Sequence, residues 1–299
     1  MIEQELTLAH DLATKAFALS TATLNRRNAQ DVARLLPTYI RAIQEFFASL
    51  KYEVSKQFYL SLGKEPPKIE KAEQVSSEFM EWREFEEEAI LLLTLAHLRI
   101  MEKSGNRMYG LAGITGKFDV ERPEPVERAR NRTKWFVALL IAESIRRIRN
   151  VVERAKREGW NVDRINRELR WNVGLSTRQV RGLENYRQKL IDSGATDSKI
   201  TREMEKESRR RQKQREFTIA RTETAKARAD GEIMAAKEKM IQYVQYITTG
   251  DPCPICAPFE GMIYSVAEAD GLIPQHQNCL CSFWPVVSED FTILEEEQE

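Results

Sequence analysis

The only four cysteines of the chain lie within one 29-residue window close to its C-terminus. Cys253 and Cys256 are separated by two residues, and His276 and Cys279 repeat that spacing after a loop of 19 residues, with Cys281 two positions further on. A two-residue gap lets two donors reach one ion, and mixed thiolate and imidazole donors favour zinc. The five residues therefore predict one structural zinc ion. Because a closed site takes four ligands, we expect one of Cys279, Cys281 or His276 to lie beside the metal or to be free.

Other chemistries are less consistent with this cluster. A thioredoxin-like Cys-x-x-Cys pair needs a βαβ context, which the flanking residues do not predict. A disulfide framework is typical of secreted chains, whereas the residues after Met1 lack the basic and apolar regions of a signal peptide. A catalytic zinc site keeps one position open for water, and the candidate ligands here already exceed four. We therefore predict no catalytic residue and expect that the protein is not an enzyme. For the cysteines themselves, the remaining alternative to a zinc site is that they are unliganded or disulfide-bonded.

Opposite charges balance over the whole chain but are segregated along it. The sequence holds 46 Lys and Arg and 46 Asp and Glu. Residues 126–216 contain 25 Lys and Arg against 13 Asp and Glu, whereas residues 251–299 contain ten acidic residues and no Lys or Arg. Such a basic stretch favours contact with a polyanion such as DNA, although a solvated helical face or an acidic neighbouring protein explains it as well.

The longest apolar run, from Ala89 to Met101, is too short and too interrupted to cross a bilayer. This predicts a soluble protein without a membrane partner. His97 lies inside the run and has no Cys or acidic residue three or four positions away, so we expect a core or groove histidine rather than a metal ligand.

Helical periodicity dominates the chain before residue 248. The expected fold is mainly α, an elongated helical body with a small C-terminal zinc-stapled α+β module. Four glycines between residues 105 and 116 predict a loop at a domain boundary. Ser176 or Thr177 is expected to begin a helix as its cap, and residues 200–246 predict a long helix with one break near Phe217.

These patterns divide the chain into four regions. They are an N-terminal helical region at 1–115, a basic helical region at 126–247, a zinc-binding Cys/His module at 248–287 and an acidic tail at 288–299. Short β-prone segments at Met262–Val266 and Ser282–Val287 predict strands in the module. The metal is expected to supply much of the folding free energy of so small a unit.

Three blocks resemble the phage Mu F-like minor head proteins, which are also described as phage head morphogenesis proteins. Ile219–Thr224, with Gly231 after it, is similar to the family's Ala-Arg-Thr-Glu-Thr helix. Thr248–Cys256 resembles the family's Asp-x-x-Cys-Pro-x-Cys knuckle, and Pro274–Cys281 resembles its closing Pro-x-His-Pro-x-Cys-Arg-Cys. The likeness covers about residues 126–287 and leaves the N-terminal helices without a motif.

Two positions depart from the family pattern without removing a metal ligand. Gln277 replaces a proline, and Leu280 replaces an arginine between the last two cysteines. The lost arginine puts any phosphate contact of this module in doubt, so DNA contact is assigned to the middle helices. Arg221, Thr222 and Glu223 either form surface ion pairs or dock their helix on the knuckle, with Thr222 or Glu223 accepting hydrogen bonds from loop amides around Asp251.

The resemblance implies a low-copy virion component at the portal vertex in the capsid interior, present in the host cytoplasm during assembly. Its implied partners are the portal protein and the inner capsid or scaffold, and it implies a homo-oligomer or a low-copy ring. Its implied role is to assist head assembly and DNA packaging, retention or ejection. Packaged DNA is the expected non-specific partner of the basic region.

Two other functions compete with this interpretation. A zinc-ribbon nucleic-acid-binding adaptor would also join cysteine knuckles to basic helices, but it should carry basic residues on the zinc module itself. A zinc-dependent phosphodiesterase or toxin-like enzyme could use His276 with Asp251, Glu260 and Asp270. The sequence lacks the H-E-x-x-H, P-loop and Gly-x-Ser-x-Gly patterns, which disfavours an enzyme.

Overall fold

The computed structural model describes residues 21–61, 80–250 and 252–287, which are mainly helical. The helices are α1 (Thr21–Ser61), α2 (Trp82–Leu111), α3 (Pro123–Glu158), α4 (Val162–Asn172), α5 (Thr177–Asp192), α6 (Asp197–Glu238) and α7 (Val266–Ala269). The strands are β1 (Tyr243–Ile247), β2 (Ile263–Ser265) and β3 (Ser282–Val286). The predicted mainly α fold with a small C-terminal α+β module is confirmed. The helical pattern of residues 1–20 and the acidic tail 288–299 lie outside the described residues.

Local signals set several helix ends where the sequence predicts them. Gly159 follows α3 with φ of 63°, a backbone conformation that glycine adopts without the steric cost of a Cβ. Ser176 caps α5: its hydroxyl accepts from the Gln179 amide, and the Gln179 side chain accepts from the Ser176 amide. In the part of the chain that is described, no helix is both long and apolar enough to span a membrane.

The structure differs from two predictions about helix limits. The loop predicted in the glycine-rich segment is confined to residues 112–122, because α2 continues through Gly105 and Gly110 to Leu111. The ring of Phe118 packs where a side chain at position 105 would lie. Helix α6 runs unbroken past Phe217 and ends at Glu238, after which β1 replaces the helix predicted up to residue 246. Pairing of β1 with strands on both sides explains this difference, because such tertiary contacts override local periodicity.

The chain forms two compact units that interleave along the sequence. The first, called the sheet unit, takes Met1–Ile40, Leu95–Ala129 and Ile219–Glu299 where these are described. The second, called the helical unit, takes Arg41–Thr94 and Arg130–Thr218 where these are described. The predicted domain limits at residues 115, 126 and 247 stay predictions.

The sheet is antiparallel, with the strand order β2-β1-β3. Tyr243 pairs with Ser265 on one side of β1 and with Val286 on the other. Val244 and Tyr246 are buried while their neighbour Gln245 is partly exposed, as expected for a strand with one face on a core. Pro285 is tolerated in β3 because that strand lies at an edge of the sheet. The β-prone segments predicted on the sequence correspond to β2 and β3.

The C-terminal half of α6 is rich in alanine and packs closely within the sheet unit. Ala225, Ala229 and Ala236 are buried in one cluster with Val244 and Phe283 of the sheet. A Cβ at Gly231 would lie 2.3 Å from the carbonyl oxygen of Met101, so the backbones of α6 and α2 touch at this position. The glycine of the Ala-Arg-Thr-Glu-Thr block is therefore required by helix packing.

The helical unit contains its own buried contacts. Trp171, Leu175, Leu183 and Met204 form an apolar cluster. Trp171 also accepts a hydrogen bond of 2.8 Å at its carbonyl oxygen from the hydroxyl of Ser208 on α6. These contacts hold α4, α5 and the N-terminal half of α6 together.

We expect Gly231→Ala to destabilise the fold by about 1–3 kcal/mol, because the added methyl group forces α6 away from α2. Gly110→Ala is the matched control, since Gly110 is also helical and nothing lies within 4 Å of its Cβ position. That change should be neutral or stabilise the protein by up to about 1 kcal/mol. Urea unfolding of the full chain measures both, and equal midpoints would show that the close approach does not limit packing.

Candidate metal centre

Two loops bring the predicted metal ligands together at one end of the sheet unit. The first follows β1, where the amides of Cys256 and Ala257 donate to the carbonyl oxygen of Cys253 at 3.0 and 2.9 Å. The second precedes β3, where the Cys279 amide donates to the His276 carbonyl oxygen at 3.2 Å. Each tight turn places two donor side chains on one side of its loop, which is the purpose of the two-residue spacing.

The donor atoms of the two loops meet around Cys256 and His276. The Nε2 atom of His276 lies 3.0 Å from Sγ of Cys253 and 3.2 Å from Sγ of Cys256. The Sγ atoms of Cys256 and Cys279 are 3.9 Å apart, and Cys281 completes a second triplet with them. Adjacent ligand atoms of a tetrahedral zinc site are about 3.5–3.8 Å apart, as follows from zinc bond lengths of about 2.0–2.3 Å. The cluster could therefore hold a metal ion.

Hydrogen bonds around the cluster direct its donors. The Nδ1 atom of His276 lies 2.6 Å from the carbonyl oxygen of Gln277. Because that oxygen can only accept, Nδ1 carries the proton, and Nε2 keeps the electron pair that can bind a metal. The hydroxyl of Tyr246 donates to Sγ of Cys256 at 3.8 Å. Tyr246 is fully buried, and desolvation raises the pKa of its phenol, which keeps it a hydrogen-bond donor. These two contacts restrict the orientation of the His276 ring and of the Cys256 thiol.

The thiols differ in their surroundings. A hydrogen bond from the Cys281 thiol lowers the pKa of Cys279 to about 5. Burial, followed by the charge of Cys279, raises the pKa of Cys256 to about 11. Cys279, Cys256 and Cys281 are all buried, whereas Cys253 is partly exposed. A bound cation would favour the thiolate at each coordinating position.

The Arg-Thr-Glu block of α6 contacts the second metal loop. The hydroxyl of Thr222 accepts a hydrogen bond of 3.0 Å from the Asn278 amide, and Arg221 donates to the Asn278 carbonyl oxygen at 3.4 Å. Asn278 has φ of 67°, a conformation that asparagine tolerates better than most residues. The block thus docks α6 on the loop between His276 and Cys279. The sequence predicts that Thr222 or Glu223 accepts hydrogen bonds from loop amides around Asp251, but residue 251 lies outside the described residues.

A buried polar network joins α6 to the strand that follows the last cysteine. The carboxylate of Glu232 accepts from the Phe283 amide at 2.9 Å and from the Ser282 hydroxyl at 2.8 Å. Arg228 donates to the same hydroxyl at 2.8 Å and pairs with Glu232 at 3.5 Å. Arg107 also donates to Glu232, at 3.2 Å. The sequence does not predict the roles of these residues, because only their position inside the alanine-rich half of α6 indicates that they are buried.

A second buried network lies nearby in the sheet unit. The carboxylate of Asp230 pairs with His97 at 3.0 Å and with Arg128 at 2.6 Å. Arg128 also donates to Asp270, and this bond lowers the pKa of Asp270 to about 2. His97 and Asp230 are each 1% exposed, so His97 is the core histidine that the sequence predicts. Asp270 is paired with both Arg128 and Lys237.

A known protein family matches the part of the chain that contains the candidate metal centre. The sequence model of the family described as Phage Mu protein F like protein matches residues 146–284. The match contains α4, α5, α6, the metal loops and most of β3. Neither a curated protein nor a solved structure matches the chain.

Replacing Glu232 with alanine should cost about 3–5 kcal/mol, because Arg228 is left buried without its counter-charge. The change also leaves the Phe283 amide without its acceptor. Glu87→Ala is the control, since the pair with Arg83 is largely exposed and contributes at most about 1 kcal/mol. Chemical denaturation followed by circular dichroism measures the free energy of unfolding of both variants. Similar losses of stability would show that this buried network does not stabilise the module.

Proposed function

We propose that this protein is a minor capsid protein associated with the portal and the procapsid interior. In this role it assists head assembly and DNA packaging, retention or ejection. The support is the match of residues 146–284 to the family described as Phage Mu protein F like protein, a family of phage head morphogenesis proteins. The observation that carries the proposal is the coincidence of the family match with the metal loops and with the α6 residues that hold them.

A single structural zinc ion is the second part of the proposal. The donor set supports zinc, since thiolates and a neutral imidazole are its preferred ligands in proteins. When bound, zinc deprotonates its thiol ligands and cross-links the two loops. The protein residues contribute the geometry: Gln277 fixes the tautomer of His276, and Thr222 holds the loop that carries Cys279.

Among the five candidates, the contacts favour Cys253, Cys256, His276 and Cys279 as ligands. The Sγ atoms of Cys253 and Cys256 lie within 3.2 Å of Nε2 of His276, and Sγ of Cys279 lies 3.9 Å from that of Cys256. Cys281 has a different role in this proposal. Its thiol donates a hydrogen bond to Cys279, as a neighbour of a thiolate ligand does. Four protein ligands leave no open position for a substrate, so no reaction is assigned to the site.

We expect the full chain to hold about one zinc per molecule. Cys253→Ser and His276→Asn should lower that content strongly and make the C-terminal module sensitive to protease while most helical circular dichroism is kept. Cys281→Ser is the matched control and should retain the metal. Elemental analysis after extensive dialysis gives the content. Loss of zinc from Cys281→Ser with retention in Cys253→Ser would reverse the ligand assignment, and metal-free wild-type protein would rule out the zinc site.

Contact with packaged DNA is the third part, and the charge of the helical unit supports it. Exposed cations extend over four of its helices, among them Arg130, Lys134, Arg146, Arg149, Lys156, Arg157, Arg164, Arg167, Arg178, Arg181, Arg202, Lys206, Arg209, Arg210 and Lys213. Such contact depends on salt and is blind to sequence. The zinc module carries no Lys or Arg, which disfavours a zinc-ribbon adaptor that reads bases.

Association with the capsid tests the proposal most directly. The tagged full chain would be produced together with the portal, scaffold and major capsid proteins of the same phage, and the procapsids separated on a sucrose gradient. We expect the chain to sediment with procapsids and to be captured by the portal protein alone. A tagged protein of similar size is the control for trapping. If the protein binds zinc and DNA but associates with neither procapsids nor the portal protein, the capsid role is overturned and the nucleic-acid-binding adaptor is favoured.

A further inference from the structure

A surface cavity of about 410 Å³ lies within the helical unit, away from the metal loops. Its walls come from α1, α4 and α6, and the lining includes Lys51, Ser55, Asn166, Arg170, Glu205 and Arg209. Three of these residues are cations and one is an anion. The cavity is therefore a concave, positively charged site with hydroxyl and amide groups beside the charges.

The ammonium group of Lys51 is the least satisfied of these charges. Within the described ranges, it is influenced by burial and by the charges of Glu216, Arg170 and Arg209, and no side-chain hydrogen bond contributes. By contrast, Glu205 already serves both arginines, at 2.5 Å from Arg209 and 3.7 Å from Arg170. Glu216 is the acid that acts on Lys51, and its own burial raises its pKa, which weakens it as a counter-charge. A cation in a cavity between two arginines favours an anionic ligand.

The other walls provide a rigid frame for such a ligand. The hydroxyl of Ser55 donates to Asn166 at 3.3 Å, and the amide of Asn166 donates to the hydroxyl of Tyr59 at 2.9 Å. Ser208 is fixed by its bond to Trp171, as described above. Side chains held in this way lose little entropy when a ligand binds.

A second cavity of about 510 Å³ continues the positive surface along α6. It shares Glu205 and Arg209 with the first and adds four more cations, namely Arg202, Lys206, Arg210 and Lys213. A single free anion needs only one such site. A row of cations that leads into a cavity fits a polyanion with regularly spaced charges better.

We propose that Lys51, Arg170 and Arg209 form a phosphate-binding site, and that its occupant is a backbone phosphate of DNA that runs along the cationic face of α6. This inference rests on the proposed contact with packaged DNA and assigns that contact to particular residues. Lys51 lies outside the part of the chain that matches the family, so the site combines family residues with a residue of α1.

Binding of the purified full chain to a fluorescent duplex of arbitrary sequence tests the site. For Lys51→Gln and Arg170→Gln we expect roughly tenfold weaker binding and a slope of log K against log salt that is smaller by about 0.9 per lost contact. Lys117→Gln is the matched control, since Lys117 is exposed and belongs to the sheet unit. This change should alter neither the affinity for the duplex nor the salt slope. Circular dichroism of each variant verifies that it is folded.

The pH dependence gives an independent readout. Burial, together with Arg170 and Arg209, lowers the pKa of Lys51 to about 8 against the opposing effect of Glu216. The ammonium form is therefore present below pH 8 and is lost above it. Because a phosphate binds only the charged form well, wild-type affinity should fall between pH 7 and pH 9 more than that of Lys51→Gln. Tyr52 and Glu205 also face this region, and both are kept in the variant.

The outcomes separate the site from the function. DNA binding with the same salt slope in the wild type, Lys51→Gln and Lys117→Gln overturns the site but leaves the capsid role and DNA contact intact. Thermal stabilisation by inorganic phosphate that requires Lys51, with no DNA bound, overturns the assignment to a DNA backbone in favour of a free oxyanion. A reduced slope in Lys51→Gln together with no capsid association supports the site and removes the capsid role.

Discussion

The carboxylate of Glu232 has no exposed surface, so its negative charge must be balanced entirely by protein groups. Those groups come from three places: Arg228 on the same helix, Arg107 on α2, and the Ser282 hydroxyl with the Phe283 amide at the start of β3. A shift of β3 by one residue would move its side chains to the opposite face and would also break the bond between the Phe283 amide and this buried carboxylate. The network therefore determines where β3 begins, and Cys281 is the residue immediately before it.

This arrangement explains how a small module obtains a defined donor geometry. Thr222 and Glu232 are ten residues apart on α6, which corresponds to about 15 Å along a helix. One holds the loop between His276 and Cys279, and the other holds the strand that follows Cys281. The helix thus supports the second pair of donors from both ends of its loop. A zinc ion would add a cross-link to a frame that α6 already supports, so loss of metal should loosen the loops more than the helix.

Much of this architecture can be predicted from the sequence, because the signals involved are local. Helical periodicity, the Ser176 cap and the Cys-x-x-Cys spacing each depend on residues a few positions apart, and all correspond to observed features. The failures have non-local causes. Residues 243–247 form a strand because two distant segments pair with them. At the helical Gly105, the ring of the distant Phe118 fills the space that a side chain would take. The docking partner at Asn278, and the burial of Arg228 and Glu232, likewise depend on contacts across more than 50 residues.

The basic run from Arg209 to Arg215 shows why charge counts and charged surfaces differ. Arg211 and Arg215 direct their guanidinium groups inward, where they donate to the carbonyl oxygens of Gly182 and Gly174. The cations that remain exposed follow the helical repeat, at positions 202, 206, 209 and 213. They form one face, and only the packing of α4 and α5 against the opposite side determines that this face is open to solvent. The positive charge of this run is therefore divided between a structural set that binds carbonyl groups and a set that is exposed to solvent.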